Sequence, residues 1–361
     1  MANIFFVLGT RPEFIKIIEV VNELQSKSNH KIKLIFSNQQ SKLIKKYMNN
    51  NIIHYDLEIK KFKNDSEFIS SFLVKMEKLN NKIDIDYLFV QGDTNTAYAA
   101  SLFGFFKKIS IIHLEAGLRT FNIHKPYPEE FNRQSISKIT NIHLSQTQSS
   151  KQNLLKEGID KKIFVVGNPG IDYLVKNIKH NKIKNKIIKD SILITMHRRE
   201  SLSSSLEIFI KNLKKFMKKN LNYQINWPLH TNPKILRNIK DNFKAEDNDN
   251  INFLKPQKYV DFLKLMMSSE FIITDSGGVQ EEAAYLGKKL LIARDLTERI
   301  DIINLKLGYL IMADGSKLEK IMNYFNKKKV VNKQNTLKWR KSQGYGKSSK
   351  KILNIFNKNL E

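Results

Sequence analysis

The sequence predicts an α/β protein made of two Rossmann-like, doubly wound domains facing each other across a cleft. Three observations carry this reading: a length of 361 residues, short apolar runs that alternate with helix-length amphipathic stretches, and a Gly167-Asn168-Pro169-Gly170 break after which the alternation restarts. The length is about twice that of a usual single domain, so two separate cores are expected. Alternating strand-length and helix-length segments are the pattern of βαβ units in a parallel sheet. Ligands of such sheets sit beyond the carboxyl ends of the strands, so two facing sheets make one cleft.

Taken in order, the first domain is expected over residues 1–168, with strands at Ile4 to Leu8, Ile32 to Phe36, Tyr87 to Val90, Ile109 to Leu114, Ile142 to Leu144 and Ile163 to Val166. The Lys/Asn-rich stretch running to Asp190 reads as a linker and the opening helix of the next domain. The second domain, 171–346, has candidate strands at Ile192 to Thr195, Gln224 to Pro228, Ile251 to Phe253, Phe271 to Thr274, Lys289 to Ala293 and Leu310 to Met312. A terminal helix, 347–361, closes the chain.

Composition narrows the function. There is no cysteine, which excludes disulfides, thiolate metal sites and a cysteine nucleophile and fits a reducing compartment, so a cytoplasmic protein is expected. The run Ile4 to Leu8 lacks a basic leader and has strand length, so it reads as a buried strand rather than a signal peptide. No apolar run approaches the roughly 18 to 20 residues of a membrane span, so no membrane insertion is expected. With 62 Lys and Arg against 35 Asp and Glu the formal charge is +27. A nucleic-acid binder gathers its cations on one face. Here the lysines are dispersed among Asn and Ile, as in Lys176 to Lys189 and Lys211 to Asn222, and read as solvated helix faces, so no nucleic-acid partner is expected.

The motifs follow strands. After the first comes Gly9-Thr10-Arg11-Pro12-Glu13, where Gly9 permits a tight turn, Pro12 suits the first helical turn and Arg11 is poised for a phosphate. An ordinary strand-to-helix turn reads the same way, and the absent G-x-G-x-x-G fingerprint argues against a nicotinamide cofactor. Gln91-Gly92-Asp93-Thr94 and His113-Leu114-Glu115-Ala116-Gly117-Leu118-Arg119 each set a carboxylate just past a strand. A loop then carries Pro126-Tyr127-Pro128-Glu129-Glu130, followed by Arg133. One such acid is commonly a helix cap. Several on one sheet edge are material for general acid and base work. In the second domain His197-Arg198-Arg199-Glu200 follows a strand, a pattern suited to diphosphate or to an ordinary surface histidine. Asp275-Ser276-Gly277-Gly278-Val279-Gln280-Glu281-Glu282 follows another. There Gly277 and Gly278 leave backbone N–H groups at a helix start, where anions bind without side-chain charge, and Glu282 is placed to accept from ribose hydroxyls.

In this order, from Gly9 to about Arg299 with an echo at Gly344-Tyr345-Gly346, the segments resemble the non-hydrolysing UDP-N-acetylglucosamine 2-epimerases. The resemblance implies a GT-B architecture whose terminal helix crosses back to the first domain, a UDP-sugar substrate, no cofactor and no metal, and interconversion of UDP-GlcNAc and UDP-ManNAc. A homodimer is the expected assembly. It also implies Asp93, Glu115, Glu129 and His197 as catalytic residues, Arg11 and Ser276 on the diphosphate, Glu282 on the ribose, and His230 lining the same cleft, with Arg119, Arg133, Arg198 and Arg299 as further members. Two segments depart from the family: Thr297-Glu298-Arg299-Ile300-Asp301 stands where Thr-Glu-Arg-Pro-Glu is usual, and Gln39-Gln40 where Gln-His is. A GT-B glycosyltransferase, a hydrolysing epimerase, an epimerase for a related UDP-sugar and a nucleic-acid-binding module are the competing readings.

Overall fold

In the computed structural model, residues 1–37, 52–59, 62–196, 204–229, 236–237, 239, 242–243, 250–327 and 332–359 are described. The apolar runs form strands and the amphipathic stretches pack over them. In chain order these are β1 (Asn3–Leu8), α1 (Arg11–Lys27), β2 (Lys31–Phe36), β3 (Ile53–Asp56), α2 (Asp65–Asn80), β4 (Tyr87–Gln91), α3 (Asn95–Phe106) and β5 (Ser110–Leu114). There follow α4 (Glu129–Ile139), β6 (Ile142–Ser145), α5 (Gln148–Lys156), β7 (Ile163–Val165) and α6 (Pro169–His180). The first sheet runs β3-β2-β1-β4-β5-β6-β7 and every pairing in it is parallel.

The second sheet is built from β8 (Ile188–Thr195), β9 (Gln224–Pro228), β10 (Ile251–Leu254), β11 (Ser269–Thr274), β12 (Lys289–Ile292) and β13 (Gly308–Leu310), in the order β10-β9-β8-β11-β12-β13, again all parallel. Around it lie α7 (Ser204–Lys219), α8 (Tyr259–Ser268), α9 (Gly277–Leu286), α10 (Ile300–Asn304), α11 (Leu318–Lys327) and α12 (Lys333–Ser342). Both sheets share one doubly wound order, whose direction reverses between β1 and β4 in the first and between β8 and β11 in the second. Ligands of such sheets bind at that reversal.

The chain divides into two units, Met1–Tyr173 with Ser342–Glu361, and Leu174–Lys341. The last helix, α13 (Ser348–Asn359), thus belongs to the first unit. Its Ile352, Leu353 and Phe356 are buried with Phe14, Ile17 and Phe89 on one face of the first sheet. The other face is covered by α2 and α3 through Phe68, Phe72, Met76 and Phe103. In the second unit Phe209, Leu213, Trp227 and Phe325 fill one side of the sheet, and Met266, Ile302 and Trp339 the other. Among the described residues no helix is long and apolar enough to cross a membrane.

Three expectations need correction. Strand β3 was not expected, because Ile53-His54-Tyr55-Asp56 is short, mixed in polarity and at the sheet edge. β8 begins at Ile188 rather than Ile192; its opening residues Ile188, Lys189 and Asp190 are exposed or half-buried and two of them are charged, so they do not read as an apolar run. β13 ends at Leu310, because Met312 takes a positive φ of 66° that a continuing strand does not allow. The break at Gly167 is a packed turn. Gly167 has φ +90°, and a Cβ there would lie 2.5 Å from Ser348 Oγ and 2.8 Å from the Gln343 backbone. Pro169 then opens α6.

Candidate functional site

The edge of the first sheet is shaped by its turns. Thr10 caps α1, and Glu13 answers it: Oε2 accepts from the backbone N–H groups of Gly9 (3.0 Å) and Thr10 (2.6 Å) and from the Thr10 hydroxyl (2.7 Å). Oε1 accepts from the Thr94 hydroxyl at 2.7 Å, which ties the turn after β1 to the turn after β4. This capping box fixes Arg11 at the first position of α1. Gly9 is needed for a reason other than turn geometry: a Cβ there would sit 2.2 Å from Thr96 Oγ1.

Glu115 follows β5 with φ +70°, a left-handed backbone that is strained for a residue with a side chain. Its carboxylate is buried, with Oε2 bonded to Lys16 Nζ and Gln91 Nε2. A Cβ on Gly92 would lie 3.7 Å from that same oxygen, so the turn leading to Asp93 passes directly beside it. His113 Nε2 lies 2.8 Å from the Gly92 carbonyl oxygen. Burial lowers the His113 pKa to about 3, so the ring is neutral and Nε2 is the protonated nitrogen that donates to the carbonyl.

Asp93 pairs with Arg133 at 2.5 Å, and Asn132 Nδ2 donates to the Asp93 carbonyl at 2.9 Å. The first turn of α4, and with it Glu129, is thereby tied to the β4 turn. The two adjacent acids separate clearly. Glu130 is 0% exposed and accepts from Thr120 N, Phe121 N, Gln134 Nε2 and Arg133 Nη1 at 2.8 to 3.2 Å, so it holds the loop together. Glu129 is half-buried at the helix start. Both X-Pro bonds of the preceding loop, Lys125-Pro126 and Tyr127-Pro128, are cis. Arg119 does not join this edge. Its guanidinium is fully buried in a two-point pair with Glu157 (2.6 and 2.8 Å) and donates to Ser137 Oγ, which makes it a packing residue.

In the second unit the hydroxyls of Thr195 and Thr274, at the ends of β8 and β11, meet at 2.7 Å, and Thr274 Oγ1 accepts from Ser276 N at 3.0 Å. Ser276 is the N-cap of α9, yet its hydroxyl makes no capping bond. The first N–H groups of a helix have no partner within it. Gly277 and Gly278 differ in what surrounds them. A Cβ on Gly277 would fall 2.5 Å from Arg299 Cζ, whereas one on Gly278 meets nothing within 4 Å. Arg299 lies against the first turn of α9, its Nε 3.0 Å from Glu281 Oε1 and its Nη1 on Glu298, while Arg294 Nη1 reaches the other oxygen of Glu298 at 2.9 Å. Glu282 is half-buried and accepts from the Tyr259 hydroxyl at 2.7 Å.

Sequence reasoning missed Lys16, Gln91 and Tyr259 as partners of site residues. Lys16 lies one turn after the Arg11-Pro12-Glu13 start of α1 and is only partly exposed. His197, His230, Arg198 and the Gln39-Gln40 pair lie outside the described residues. Among the described residues no group of three or more His, Asp or Glu is placed to hold a metal ion.

Two doubly wound parallel sheets, one with acids along its carboxyl edge and one with an open helix start, define an enzyme of the GT-B class. The family model for UDP-N-acetylglucosamine 2-epimerase matches residues 22–357. A UDP-N-acetylglucosamine 2-epimerase of Salmonella borreze is 36% identical, with 99% of this chain and 98% of that one covered. The crystal structure of UDP-GlcNAc 2-epimerase from Neisseria meningitidis bound to UDP-GlcNAc is 31% identical with a TM-score of 0.88, covering 99% of this chain and 100% of that one. The Methanocaldococcus jannaschii UDP-GlcNAc 2-epimerase in complex with UDP-GlcNAc and UDP is 31% identical at a TM-score of 0.86, with the same coverage. The chain belongs to the UDP-N-acetylglucosamine 2-epimerase family.

Proposed function

We propose that this enzyme interconverts UDP-GlcNAc and UDP-ManNAc without hydrolysing them, by elimination and re-addition of UDP. The C2 proton of a hexosamine is not next to a carbonyl, so its direct removal is prohibitively slow. If a base takes that proton while the C1–O bond to UDP breaks, the electron pair of the C–H bond becomes the C1=C2 double bond of a 2-acetamidoglucal and UDP leaves with the other pair. Return of UDP to C1 with delivery of a proton to the opposite face of C2 inverts that carbon. The cycle is redox-neutral and consumes nothing.

The observation that carries the reading is Glu115, a buried carboxylate at a strained position, held by Lys16 and Gln91 beside the Asp93 turn. Asp93, Glu115 and Glu129 give the first unit acid and base groups from β4, β5 and α4, and Arg11 adds a cation at the same edge. In this assignment the Ser276 hydroxyl and the backbone N–H groups of Gly277 and Gly278 hold the diphosphate, Glu282 takes the ribose, and Arg299 braces the turn. His197 and His230 complete the assignment as catalytic and substrate-contacting residues.

The test is incubation with UDP-GlcNAc alone in deuterated water, followed by proton NMR. The expected result is a second nucleotide-sugar anomeric signal and deuterium at C2. Free N-acetylmannosamine with UDP would indicate the hydrolysing variant. No new sugar nucleotide without an acceptor would indicate a transferase, and retained hydrogen at C2 would overturn the elimination route.

A further inference from the structure

At the amino-terminal edge of the second sheet, opposite the Ser276 edge, lies a cavity of about 650 Å³ between the starts of β8, β11 and β12, the end of α9 and one face of α12. Its volume is within the range of small-ligand sites. Five cations line it, Lys189, Lys288, Lys289, Lys333 and Arg340, against the single carboxylate of Glu270.

The cations are not equivalent. Lys288 is buried, and its Nζ donates to the carbonyls of Met267 (2.5 Å) and Ser269 (3.0 Å) and to Asn185 Oδ1 (3.2 Å), which uses all three of its donors. Lys289 is held by Glu270 at 2.5 Å, so those two charges cancel. Arg340 commits its Nε to the Tyr285 carbonyl. Lys189 and Lys333 remain at the exposed rim. Beside them Ile187 and Leu337 are 53% and 52% exposed. The sequence places Lys189 on a solvated helix face; it is exposed, but it stands on β8 and lines this cavity.

A net cationic lining calls for a multivalent anion, and a phosphate monoester carries about −1.5 to −2 at neutral pH. Exposed isoleucine and leucine beside it call for an apolar portion on the same molecule. We propose that this cavity binds an amphiphilic organic phosphate, its phosphate between Lys189 and Lys333 and its apolar part on Ile187 and Leu337. Two sources share that chemistry, a dissolved metabolite and the headgroup region of an anionic lipid.

The intact protein, with UDP present to fill the diphosphate site assigned to Ser276, Gly277 and Gly278, is titrated with hexyl phosphate by calorimetry and, separately, sedimented with vesicles of phosphatidylglycerol or of phosphatidylcholine. Single-site, saturable hexyl phosphate binding is expected, weakened about tenfold or more by Lys189→Glu with Lys333→Glu. Ile187→Ser with Leu337→Ser should weaken hexyl phosphate but not inorganic phosphate. Lys211→Glu with Lys218→Glu makes the same charge change on the exposed face of α7 and should leave affinity unaltered. Hexyl phosphate binding without vesicle retention identifies a dissolved ligand. Retention on phosphatidylglycerol alone, lost in the Lys189 and Lys333 variant, identifies a lipid. The proposal is overturned if neither probe binds saturably, or if the α7 variant weakens binding as much as the cavity variant.

Discussion

Glu115 combines a carboxylate the chemistry needs with a backbone the chain would otherwise avoid. A positive φ on a residue with a side chain costs of order 1–3 kcal/mol and persists only where the surroundings over-determine it; here Leu144 O accepts from Glu115 N at 3.0 Å. Glu115→Gln keeps size and backbone, so UDP affinity should hold in calorimetry while turnover falls about 10²- to 10⁴-fold, or roughly 3 to 5 kcal/mol of barrier. Loss of UDP affinity, or near-normal turnover, would overturn the assignment. His113 gives a second test. Burial lowers His113 to about 3 and His143 to about 4, both below the unfolded value near 6.5. Between those limits the unfolded chain binds more protons, so this stability is fully present above about pH 6.5 and is lost as pH falls toward 4. His113→Gln keeps a donor for the Gly92 carbonyl and does not titrate, so the slope of melting temperature against pH between 4.5 and 6.5 should flatten. An unchanged slope would mean that His113 is not the group responsible. Asp93 and Glu115 were legible from sequence because each follows a strand, and a parallel sheet gathers its strand ends on one edge; Glu129 was legible from the proline-stiffened loop that leads into α4. Their partners were not, because Lys16 reaches Glu115 across 99 positions of chain and only the fold joins them.

Among the elements, α9 makes the sharpest separation between packing and function. Gly277→Ala drives a methyl into the Arg299 guanidinium, 2.5 Å away, and forces it off Glu281 and Glu298. The guanidinium can give way in part, so the cost is at most the roughly 3–5 kcal/mol of breaking a buried ion pair, and the melting temperature should fall. At Gly278 nothing lies within 4 Å, so Gly278→Ala should leave stability unchanged or raise it by about 0.4–1 kcal/mol through the unfolded chain. That methyl would also occupy the space over the helix start, so UDP affinity should fall without loss of stability. Equal stability loss in both variants would refute the distinction. Ser276→Ala with Glu282→Ala should likewise weaken UDP binding, by about 1.5–3 kcal/mol for each hydrogen bond to a charged partner. The strands flanking α9 were readable because β11 and β12 are buried apolar runs. The short edge strand β3 and the charged opening of β8 were not, because periodicity reports burial and these residues are only partly buried.

For the whole molecule, the first unit is completed only by the last residues of the chain. Ile352 and Phe356 of α13 are 0% and 1% exposed, and Phe356 packs against Phe89 of β4 with ring centroids 6.1 Å apart. The return is also bolted by charge. Asp172 accepts from Ser348 N (3.0 Å), Ser349 N (2.7 Å) and Ser349 Oγ (2.6 Å), bonds that oppose the burial raising its pKa. Truncating one buried Phe or Ile to Ala costs about 2–5 kcal/mol. A chain ending at Lys347 loses Ile352, Leu353 and Phe356 together and leaves Asp172 without those partners. That loss is comparable to the whole stability of a typical domain, about 5–15 kcal/mol. The shortened chain should therefore fail to fold its first unit, while Phe356→Ala should remain folded with a lowered transition. Both tryptophans, Trp227 and Trp339, are buried in the second unit, so their emission reports that unit and circular dichroism reports both. Phe356→Ala should move the early part of the circular dichroism transition and shift tryptophan emission less. A change in tryptophan emission as large as the change in circular dichroism would mean that α13 supports both units, and the division of the chain given above would be wrong as a description of its stability.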